Sequence, residues 1–344
     1  MADYKYGVGV YGIGWVAGEH IKSYMQNPLT EVKALASRRR QSAEAKKQEL
    51  GLDCDILDSY DDLLKRDDID IISMCSPNFL RAEEIVKACQ AGKHFMAEKP
   101  ICHNLKELKK IKKSYKEALK KGVRGAAGHC LQYNPMIESI KSMIRKDALG
   151  KIFFVETDYW HELGPWWHGW TWGANTSKNG PSVELLGAIH SFGTLVLFGG
   201  DVDEVTSYGC RGHRKDFEYE PTFVSIVKFK NGTVGRTGGS FEIESPYVFN
   251  LILHGSKGTV INNKFYTKDV FAGQEGWQVF ESVNPDSGEV THHPFPQLIS
   301  DFVNDIDGKG PAEASLDFSF KAHEAAIAAQ ISRETGKTVK LPLL

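Results

Sequence analysis

A glycine-containing turn close to the start of the chain constrains the fold more than any other feature. Gly12 and Gly14 follow the apolar run Tyr6–Tyr11, and Ala17 lies in a stretch with helical spacing. This order of strand, GxGxxA turn and helix is typical of a dinucleotide-binding βαβ unit, in which the glycines allow a tight turn and a close approach of the backbone to a pyrophosphate. The sequence therefore predicts a nucleotide site at Gly12, Gly14, Trp15 and Ala17, against the alternative of an ordinary glycine turn.

Strand-like and helix-like segments alternate through the first third of the chain. Buried strands are predicted at 31–37, 70–75 and 93–97, each followed by a helical pattern. Such alternation is typical of a parallel, doubly wound sheet. After Gly128 the strand-like stretches follow one another, and Asn231-Gly232 between β-rich flanks indicates a hairpin. The predicted class is α/β, with an N-terminal Rossmann domain and a C-terminal α+β domain built on a large, mostly antiparallel open sheet.

The chain has 344 residues, more than one hydrophobic core usually organises, so we expect two domains. The change of pattern near Gly128 predicts a nucleotide-binding Rossmann domain over 1–127 and a substrate-binding and oligomerisation domain over 128–344. A helical pattern returns at about 312–335. We expect this last helix to pack back between the two domains.

The charge of the chain is nearly balanced, with 42 Lys and Arg residues, 44 Asp and Glu residues and a net charge of −2. This balance argues against nucleic acid or an anionic membrane surface as a partner and favours a small molecule. The sequence shows neither a signal-like N-terminus nor a long apolar run, so we expect a cytoplasmic protein. The six cysteines form no CxxC pair, which predicts reduced thiols rather than a zinc site.

The end of the second predicted strand bears on the choice between NAD and NADP. An acidic residue there binds the ribose 2′-hydroxyl of NAD, whereas small polar and Arg residues accommodate the 2′-phosphate of NADP. This chain has Ser37, Arg38 and Arg39. The pattern favours NADP slightly, and two alternatives stay open: a solvated helix start, and an arginine stacked on the adenine of NAD.

Two further turns make a family resemblance specific. Ser76-Pro77-Asn78 follows one predicted strand, and Glu98-Lys99-Pro100 follows the next. Together with the glycine turn, these residues resemble the glucose–fructose oxidoreductase, inositol dehydrogenase and MocA family of NAD(P)-dependent oxidoreductases. The resemblance implies that Ser76, Pro77 and Asn78 line the cofactor site. It further implies that Glu98 contacts the nicotinamide ribose and that Lys99 reaches the substrate hydroxyl. Pro100 would fix the turn, often through a cis bond in this family. The resemblance also implies a homo-oligomer formed through the open face of the C-terminal sheet.

Reaction chemistry supports a catalytic Lys99 independently of the resemblance. When hydride leaves a carbinol carbon, the hydroxyl proton must pass to a base. A lysine can accept it if burial and the cationic nicotinamide lower its pKa, and the ammonium can polarise a carbonyl in the reverse direction. The alternative is a surface lysine in a loop.

His190 is the second predicted catalytic residue, as a general base or an orienting group, because the resemblance places its helix against the nicotinamide. Many family members have an aspartate one helical turn earlier, where this chain has Leu186. Either His190 works with Lys99 alone, or another carboxylate such as Glu184 or Asp158 assists. The alternative is a hydrogen-bonded core histidine.

The segment 159–172 contains five of the seven tryptophans. Aromatic faces suit the apolar faces of sugar rings, and indole or imidazole nitrogens can bond hydroxyl groups. A packed or subunit-interface loop is the alternative, and His161 and His168 lack a third ligand, so we predict no metal. The candidate substrate residues are Tyr159, His161, Trp166, Trp167 and, where the chain is expected to cross the mouth of the cofactor cleft, Gln132 and Asn134.

These observations predict an NAD(P)-dependent oxidoreductase that acts on a CH–OH group of a sugar, cyclitol or glycoside, with oxidation at a sugar C3 as one option. Two other classes stay open. One is a glycoside-cleaving enzyme that keeps NAD bound and cycles through oxidation, elimination and reduction. The other is a non-catalytic nucleotide or sugar sensor, which would need neither Lys99 nor His190.

Overall fold

The computed structural model describes residues 4–178, 180–281 and 293–344. The chain divides into two compact units. The first consists of residues 1–130 and 294–320, and the second of residues 131–293 and 321–344. Within the described residues, no helix is long and apolar enough to cross a membrane.

The first unit is built on a parallel sheet of six strands in the order β3-β2-β1-β4-β5-β6. The strands are β1 (Tyr6–Tyr11), β2 (Thr30–Ala36), β3 (Asp55–Leu57), β4 (Ile71–Met74), β5 (His94–Ala97) and β6 (Gly125–Ala127). The central strand β4 is buried along its whole length, as expected where helices cover both faces of a parallel sheet. The strand order reverses between β1 and β4, which is where ligands bind in doubly wound sheets.

Helices connect these strands in sequence order. They are α1 (Ala17–Gln26), α2 (Arg40–Leu50), α3 (Tyr60–Leu64), α4 (Asn78–Ala91) and α5 (Leu105–Lys120). A late segment adds α10 (Phe295–Ile306), which packs against α1. The predicted Rossmann architecture is confirmed.

The second unit is built on a nine-stranded sheet in the order β14-β13-β12-β11-β7-β10-β9-β8-β15. Its strands are β7 (Ile152–Trp160), β8 (Val202–Cys210), β9 (Thr222–Phe229), β10 (Val234–Ser240), β11 (Val248–Gly255), β12 (Thr259–Ile261), β13 (Lys264–Tyr266), β14 (Gln278–Val279) and β15 (Val339–Lys340). All pairs are antiparallel except β7 with β10. The predicted mostly antiparallel sheet is therefore confirmed, and so is the hairpin at Asn231-Gly232, which joins β9 to β10.

One face of this sheet is covered by helix, because α9 (Ile189–Gly199) packs against β7 and β10. The shorter helices of the second unit are α6 (Pro135–Arg145), α7 (Trp170–Gly173) and α8 (Val183–Leu186). The last helix, α11 (Leu316–Thr335), begins in the first unit and continues in the second. Alternation along β9 buries every second side chain and leaves Val224, Ile226 and Lys228 exposed on the other face.

Candidate active site

The glycine turn after β1 has the geometry that a dinucleotide requires. Gly12 has φ +86°, and a Cβ at this position would lie 2.4 Å from the backbone nitrogen of Ser76. Only glycine fits there without strain. A Cβ on Gly14, by contrast, would meet nothing within 4 Å, so the backbone at Gly14 faces open space. The turn therefore fits the pyrophosphate of a dinucleotide, with Trp15 47% exposed beside it.

The end of β2 presents two unpaired arginines. Arg38 and Arg39 are exposed, and neither forms an ion pair with any residue that the structure describes. Ser37 is half-buried, and its Oγ accepts a hydrogen bond from the Arg39 nitrogen at 3.3 Å. Arg40 differs, because it pairs with Glu44 and Asp58. Arg38 and Arg39 are thus the cations available to a phosphate at this strand end.

Ser76, Pro77 and Asn78 form the turn after β4. The Ser76 hydroxyl donates to the Glu84 carboxylate. Asn78 is the first residue of α4 and is only 4% exposed, yet neither atom of its amide has a hydrogen-bond partner within the described part of the chain. A buried amide left unpaired costs about 1–3 kcal/mol. Asn78 therefore fits a role in which the cofactor supplies its partner.

Arg81 joins the turns after β4 and β5, and no sequence motif indicated it. Its side chain is 3% exposed and lies one turn after Asn78 on α4. One guanidinium nitrogen donates to the Pro100 carbonyl at 3.0 Å, and another donates to the Ser76 carbonyl. Burial lowers the pKa of Arg81, against the opposing charges of Glu98 and Glu84. Arg81 therefore fixes the spacing between the two predicted cofactor turns.

Glu98, Lys99 and Pro100 follow β5, and the Lys99–Pro100 peptide bond is cis. Because β1, β4 and β5 are parallel neighbours, this turn lies at the same sheet edge as Gly12 and Ser76. Lys99 is half-buried, and burial lowers the pKa of its ammonium, whereas the Glu98 carboxylate acts in the opposite direction. A lysine with a lowered pKa can exchange a proton with a substrate hydroxyl more readily than an exposed one.

His190 lies in the second unit as the second residue of α9 and is 5% exposed. Its imidazole stacks on the ring of Tyr159, with centroids 6.0 Å apart and planes at 21°. The ring of His293 lies 6.4 Å away on a separate segment. The histidine is therefore held between aromatic groups, and sequence reasoning did not indicate His293 as a neighbour.

Further aromatic side chains extend from Tyr159. Its hydroxyl lies 3.2 Å from Nδ1 of His161. Tyr247 packs edge-on against both Tyr159 and His161, at centroid distances of 5.3 and 5.2 Å, and Trp166 lies 6.1 Å from His161. Trp166 is 60% exposed and so presents its indole to solvent. We refer to Tyr159, His161, Trp166, His190, Tyr247 and His293 as the aromatic cluster.

Three other predicted substrate residues have different surroundings. Trp167 packs edge-on against Trp172 at 5.2 Å, inside its own loop. The side-chain oxygen of Asn134 accepts from the Met136 nitrogen at 2.9 Å and caps α6. Gln132 is 2% exposed, and its amide has no hydrogen-bond partner among residues 4–178, 180–281 and 293–344. Of the three, Gln132 alone retains an amide that a ligand would satisfy.

The two carboxylates considered as partners of His190 are used elsewhere. Glu184 is fully buried and pairs with Arg333 at 2.8 Å. Asp158 pairs with Arg236 at 3.0 Å and, because side chains alternate along β7, points to the opposite sheet face from Tyr159. Burial raises the pKa of Asp158 to about 6 despite Arg236. The rings of Tyr159 and His293, rather than either carboxylate, therefore lie beside His190.

No group of three or more metal-ligating side chains occurs in the described ranges. His168, the second histidine of the tryptophan-rich segment, is exposed.

The chain is similar to several known proteins. An uncharacterized oxidoreductase of Bacillus subtilis is 30% identical over 259 residues, which are 73% of this chain and 72% of that protein. A 2,7-anhydro-N-acetylneuraminate hydratase of Mediterraneibacter gnavus is 27% identical over 217 residues, 61% of this chain and 55% of that protein.

Solved structures show the same fold. A levoglucosan dehydrogenase in complex with NADH superposes with a TM-score of 0.86 at 17% identity, over 98% of this chain and 100% of that one. Residues 6–125 match an oxidoreductase family with an NAD-binding Rossmann fold, and residues 141–341 match the C-terminal alpha/beta domain of the same family. The chain belongs to the Gfo/Idh/MocA family of oxidoreductases.

Proposed function

We propose that this protein transfers a hydride between a nicotinamide cofactor and a carbinol carbon of a sugar, cyclitol or glycoside. The observation that carries the proposal is the half-buried Lys99, whose pKa is lowered by burial and which stands at the cofactor edge of an NAD-binding domain. Levoglucosan dehydrogenase, a structural neighbour, acts on such a compound by its name. The chemistry of the turn and the family both support this substrate class.

Lys99 handles the proton in this proposal. The bound nicotinamide supplies the hydride-accepting carbon. Neutral Nζ of Lys99 accepts the hydroxyl proton as the carbinol becomes a carbonyl, and in the reverse direction the ammonium returns it. Glu98 would accept hydrogen bonds from the nicotinamide ribose, and the buried amide of Asn78 would hydrogen-bond to the cofactor.

We propose that His190 serves the substrate as a general base or as an orienting group. The stack on Tyr159 restricts the plane of the imidazole. The remaining aromatic cluster offers flat apolar surfaces with polar edges, which suit the faces and hydroxyls of a pyranose ring. We infer that Trp166 contacts a bulky part of the substrate, such as the aglycone of a glycoside, because its indole is exposed.

We further propose a cofactor preference for NADP(H). Exposed Arg38 and Arg39 and the hydroxyl of Ser37 fit the 2′-phosphate of NADP, and no acidic side chain occupies the end of β2. NADP(H) should accordingly bind at least as tightly as NAD(H).

We also propose a homo-oligomer formed through the open face of the nine-stranded sheet. Four apolar side chains stand on this face, with exposures of 73% for Tyr208, 53% for Ile226, 44% for Val234 and 38% for Val224. Tyr208 lies directly opposite Val224 in the β8–β9 register, so the apolar surface is continuous across strands. A second copy of the chain would cover it. Sedimentation velocity of the protein should show a dimer or larger assembly.

A second candidate function is a redox-neutral cycle in which bound NAD oxidises the sugar, a group is eliminated and the cofactor then reduces the product. The relative named as a hydratase favours it, since hydration involves no net redox change. Oxidation at C3 would acidify the neighbouring C–H bonds and so prepare the elimination. A non-catalytic sensor is disfavoured because Lys99 and His190 are both present.

The experiment that separates these functions is a panel of sugars, cyclitols and glycosides, incubated with NAD or NADP in D₂O. A dehydrogenase produces reduced nicotinamide stoichiometrically with the keto product. The redox-neutral cycle produces no net absorbance change and incorporates solvent deuterium next to the oxidised carbon. Binding without either signal would support the sensor and contradict the proposal.

A further inference from the structure

A buried histidine of α1 contacts the Glu98 carboxylate, and neither the motifs nor the proposed reaction assigns it a role. His20 is fully buried. Its Nδ1 lies 2.8 Å from Oγ of Ser73 in β4, and its Nε2 lies 3.0 Å from Oε1 of Glu98 after β5. The imidazole therefore connects the helix that follows the glycine turn to two neighbouring strands of the sheet.

The charges around His20 favour an ion pair with Glu98. Burial alone would lower the pKa of His20, but the Cys75 sulfur and the Glu98 carboxylate raise that pKa to about 10. Burial would conversely raise the pKa of Glu98, but His20, Lys99 and Arg81 lower it. Buried charges persist in proteins when they are paired and hydrogen-bonded. An imidazolium at His20 would donate one N–H to Ser73 and the other to Glu98.

The Glu98 carboxylate is also held at its second oxygen. Oε2 accepts a hydrogen bond from the Lys99 backbone nitrogen at 3.1 Å. On another side, a Cβ at Gly128 would lie 2.8 Å from Oε1, so the backbone there packs closely against the carboxylate. These contacts leave Glu98 in one defined orientation.

We propose that His20 is a positioning residue for the cofactor, which keeps Glu98 charged and oriented so that the carboxylate is ready to accept hydrogen bonds from the nicotinamide ribose. This inference rests on the role proposed above for Glu98. Fixing an acceptor before the ligand arrives reduces the conformational entropy lost on binding. The network would therefore act on cofactor affinity, with the hydride-transfer step affected only through the bound cofactor.

The test is titration of full-length protein with NADH, followed by fluorescence, for a set of variants in His20 and Glu98. Loss of a charge-assisted hydrogen bond should weaken binding by about tenfold or more in Glu98→Gln and in His20→Ala. The double variant should bind about as weakly as either single one, because both changes remove one coupled unit. His20→Gln, which retains an N–H donor, should recover part of the affinity and remains informative if His20→Ala unfolds.

The matched control is His94→Gln. His94 begins β5, at the opposite end of that strand from Glu98, and its Nδ1 accepts from the Arg124 nitrogen at 2.9 Å. This variant should leave the Kd for NADH unchanged. In steady-state assays, the His20 variants should raise KM for the nucleotide more than they lower kcat, whereas general loss of folded protein would lower kcat alone.

The outcomes distinguish the proposed role of Glu98 from the positioning role of His20. Unchanged NADH affinity in Glu98→Gln would contradict the role of Glu98. A weakened Glu98→Gln together with wild-type affinity in folded His20→Ala or His20→Gln would overturn only the positioning role of His20. Additive losses in the double variant would likewise show that the two residues act separately, against this inference.

Discussion

Each unit builds its candidate binding surface in a different way. In the first unit, three short turns lie at one edge of a parallel sheet, and buried polar side chains such as His20 and Arg81 fix them. In the second unit, the aromatic cluster comes from several separate segments and is held mainly by ring packing. The first arrangement fits a constant ligand such as the nucleotide, and the second leaves room for a family to change its substrate.

This difference predicts that substitutions in the first unit affect chemistry and cofactor affinity, whereas those in the aromatic cluster change substrate recognition. The following variants test that separation, beginning with the largest expected effect.

Lys99→Ala should have the largest effect. We expect kcat to fall by about 10²- to 10⁴-fold, because the proton of the substrate hydroxyl loses its acceptor. NADH affinity should change little. Lys112→Ala, at an exposed position of α5, is the control and should retain full activity. Wild-type kcat in the Lys99 variant would remove the basis of the proposed mechanism.

The pH dependence should report the same group. Because burial lowers the pKa of Lys99, kcat/KM for oxidation should rise with pH to a plateau. The midpoint of this rise should lie below the ordinary lysine pKa of 10.5. Oxidation requires neutral Nζ, so the rate is lost as the pH falls through this midpoint; the reductive direction should show the opposite trend. A pH-rate profile of Lys99→Ala that matched the wild-type profile would assign the ionisation to another residue.

The paired variants Gly14→Val and Gly12→Ala should show the next largest effects. A side chain at position 14 meets no protein atom within 4 Å, so Gly14→Val should fold normally but lose about 10- to 100-fold in NADH affinity by blocking phosphate–backbone hydrogen bonds. Gly12→Ala should instead lose about 1–3 kcal/mol of stability, because of its positive φ and its contact with Ser76. Calorimetry measures the NADH affinity of Gly14→Val, and thermal unfolding measures the stability of Gly12→Ala. Unchanged NADH affinity in Gly14→Val would exclude a pyrophosphate at the Gly14 backbone.

Trp166→Ala should have a smaller effect, confined to the substrate. Loss of one aromatic contact should raise KM for the sugar about 2- to 10-fold without changing the Kd for NADH. Trp277→Ala is the matched control, because this tryptophan is 47% exposed and lies outside the aromatic cluster. If both variants had the same KM as the wild type, the cluster would not extend to Trp166 as a substrate surface.

Asp158→Asn should leave activity unchanged and alter only the pH dependence of stability. The folded pKa of about 6 exceeds the ordinary value of 3.8, so the stabilising effect of the protonated form is complete below 3.8 and is lost as the pH rises through 6. Between pH 4 and pH 7, the free energy of unfolding of Asp158→Asn should rise by about 2–3 kcal/mol relative to that of the wild type. Thermal unfolding at both pH values measures this change, and a constant difference between the two proteins would indicate an unshifted Asp158.

The contrast between the units also explains what sequence could predict. Gly12, Ser76 and Lys99 could be located because a tight turn and a strand end require particular residue types at short spacing. His20 and Arg81 carry no such signature. Each lies on the buried face of a helix, and its partners become neighbours only when parallel strands align.

The second unit gave weaker signals for the same reason. Tryptophan density indicated Trp166 and Trp167 alike as candidate substrate residues, and it did not distinguish the exposed ring of Trp166 from that of Trp167, which packs within its own loop. Tyr247 and His293 are far along the chain from Tyr159, so their contacts follow from strand pairing and chain return rather than from local pattern. The ion pair between Glu184 and Arg333 likewise joins residues that are far apart in the sequence, because Arg333 lies in the last helix.

Hydride transfer is tested most directly by following the transferred hydrogen. A sugar or glycoside from the panel that is active with the wild-type protein, deuterated at the carbinol carbon, is incubated with oxidised nucleotide, and the reduced nucleotide is analysed by mass spectrometry. Direct hydride transfer predicts deuterium on the nicotinamide ring with the wild-type protein and its near-absence with Lys99→Ala at equal NADH affinity. Reduced nucleotide without deuterium, or no reduced nucleotide from any carbinol in a panel that binds, would contradict it.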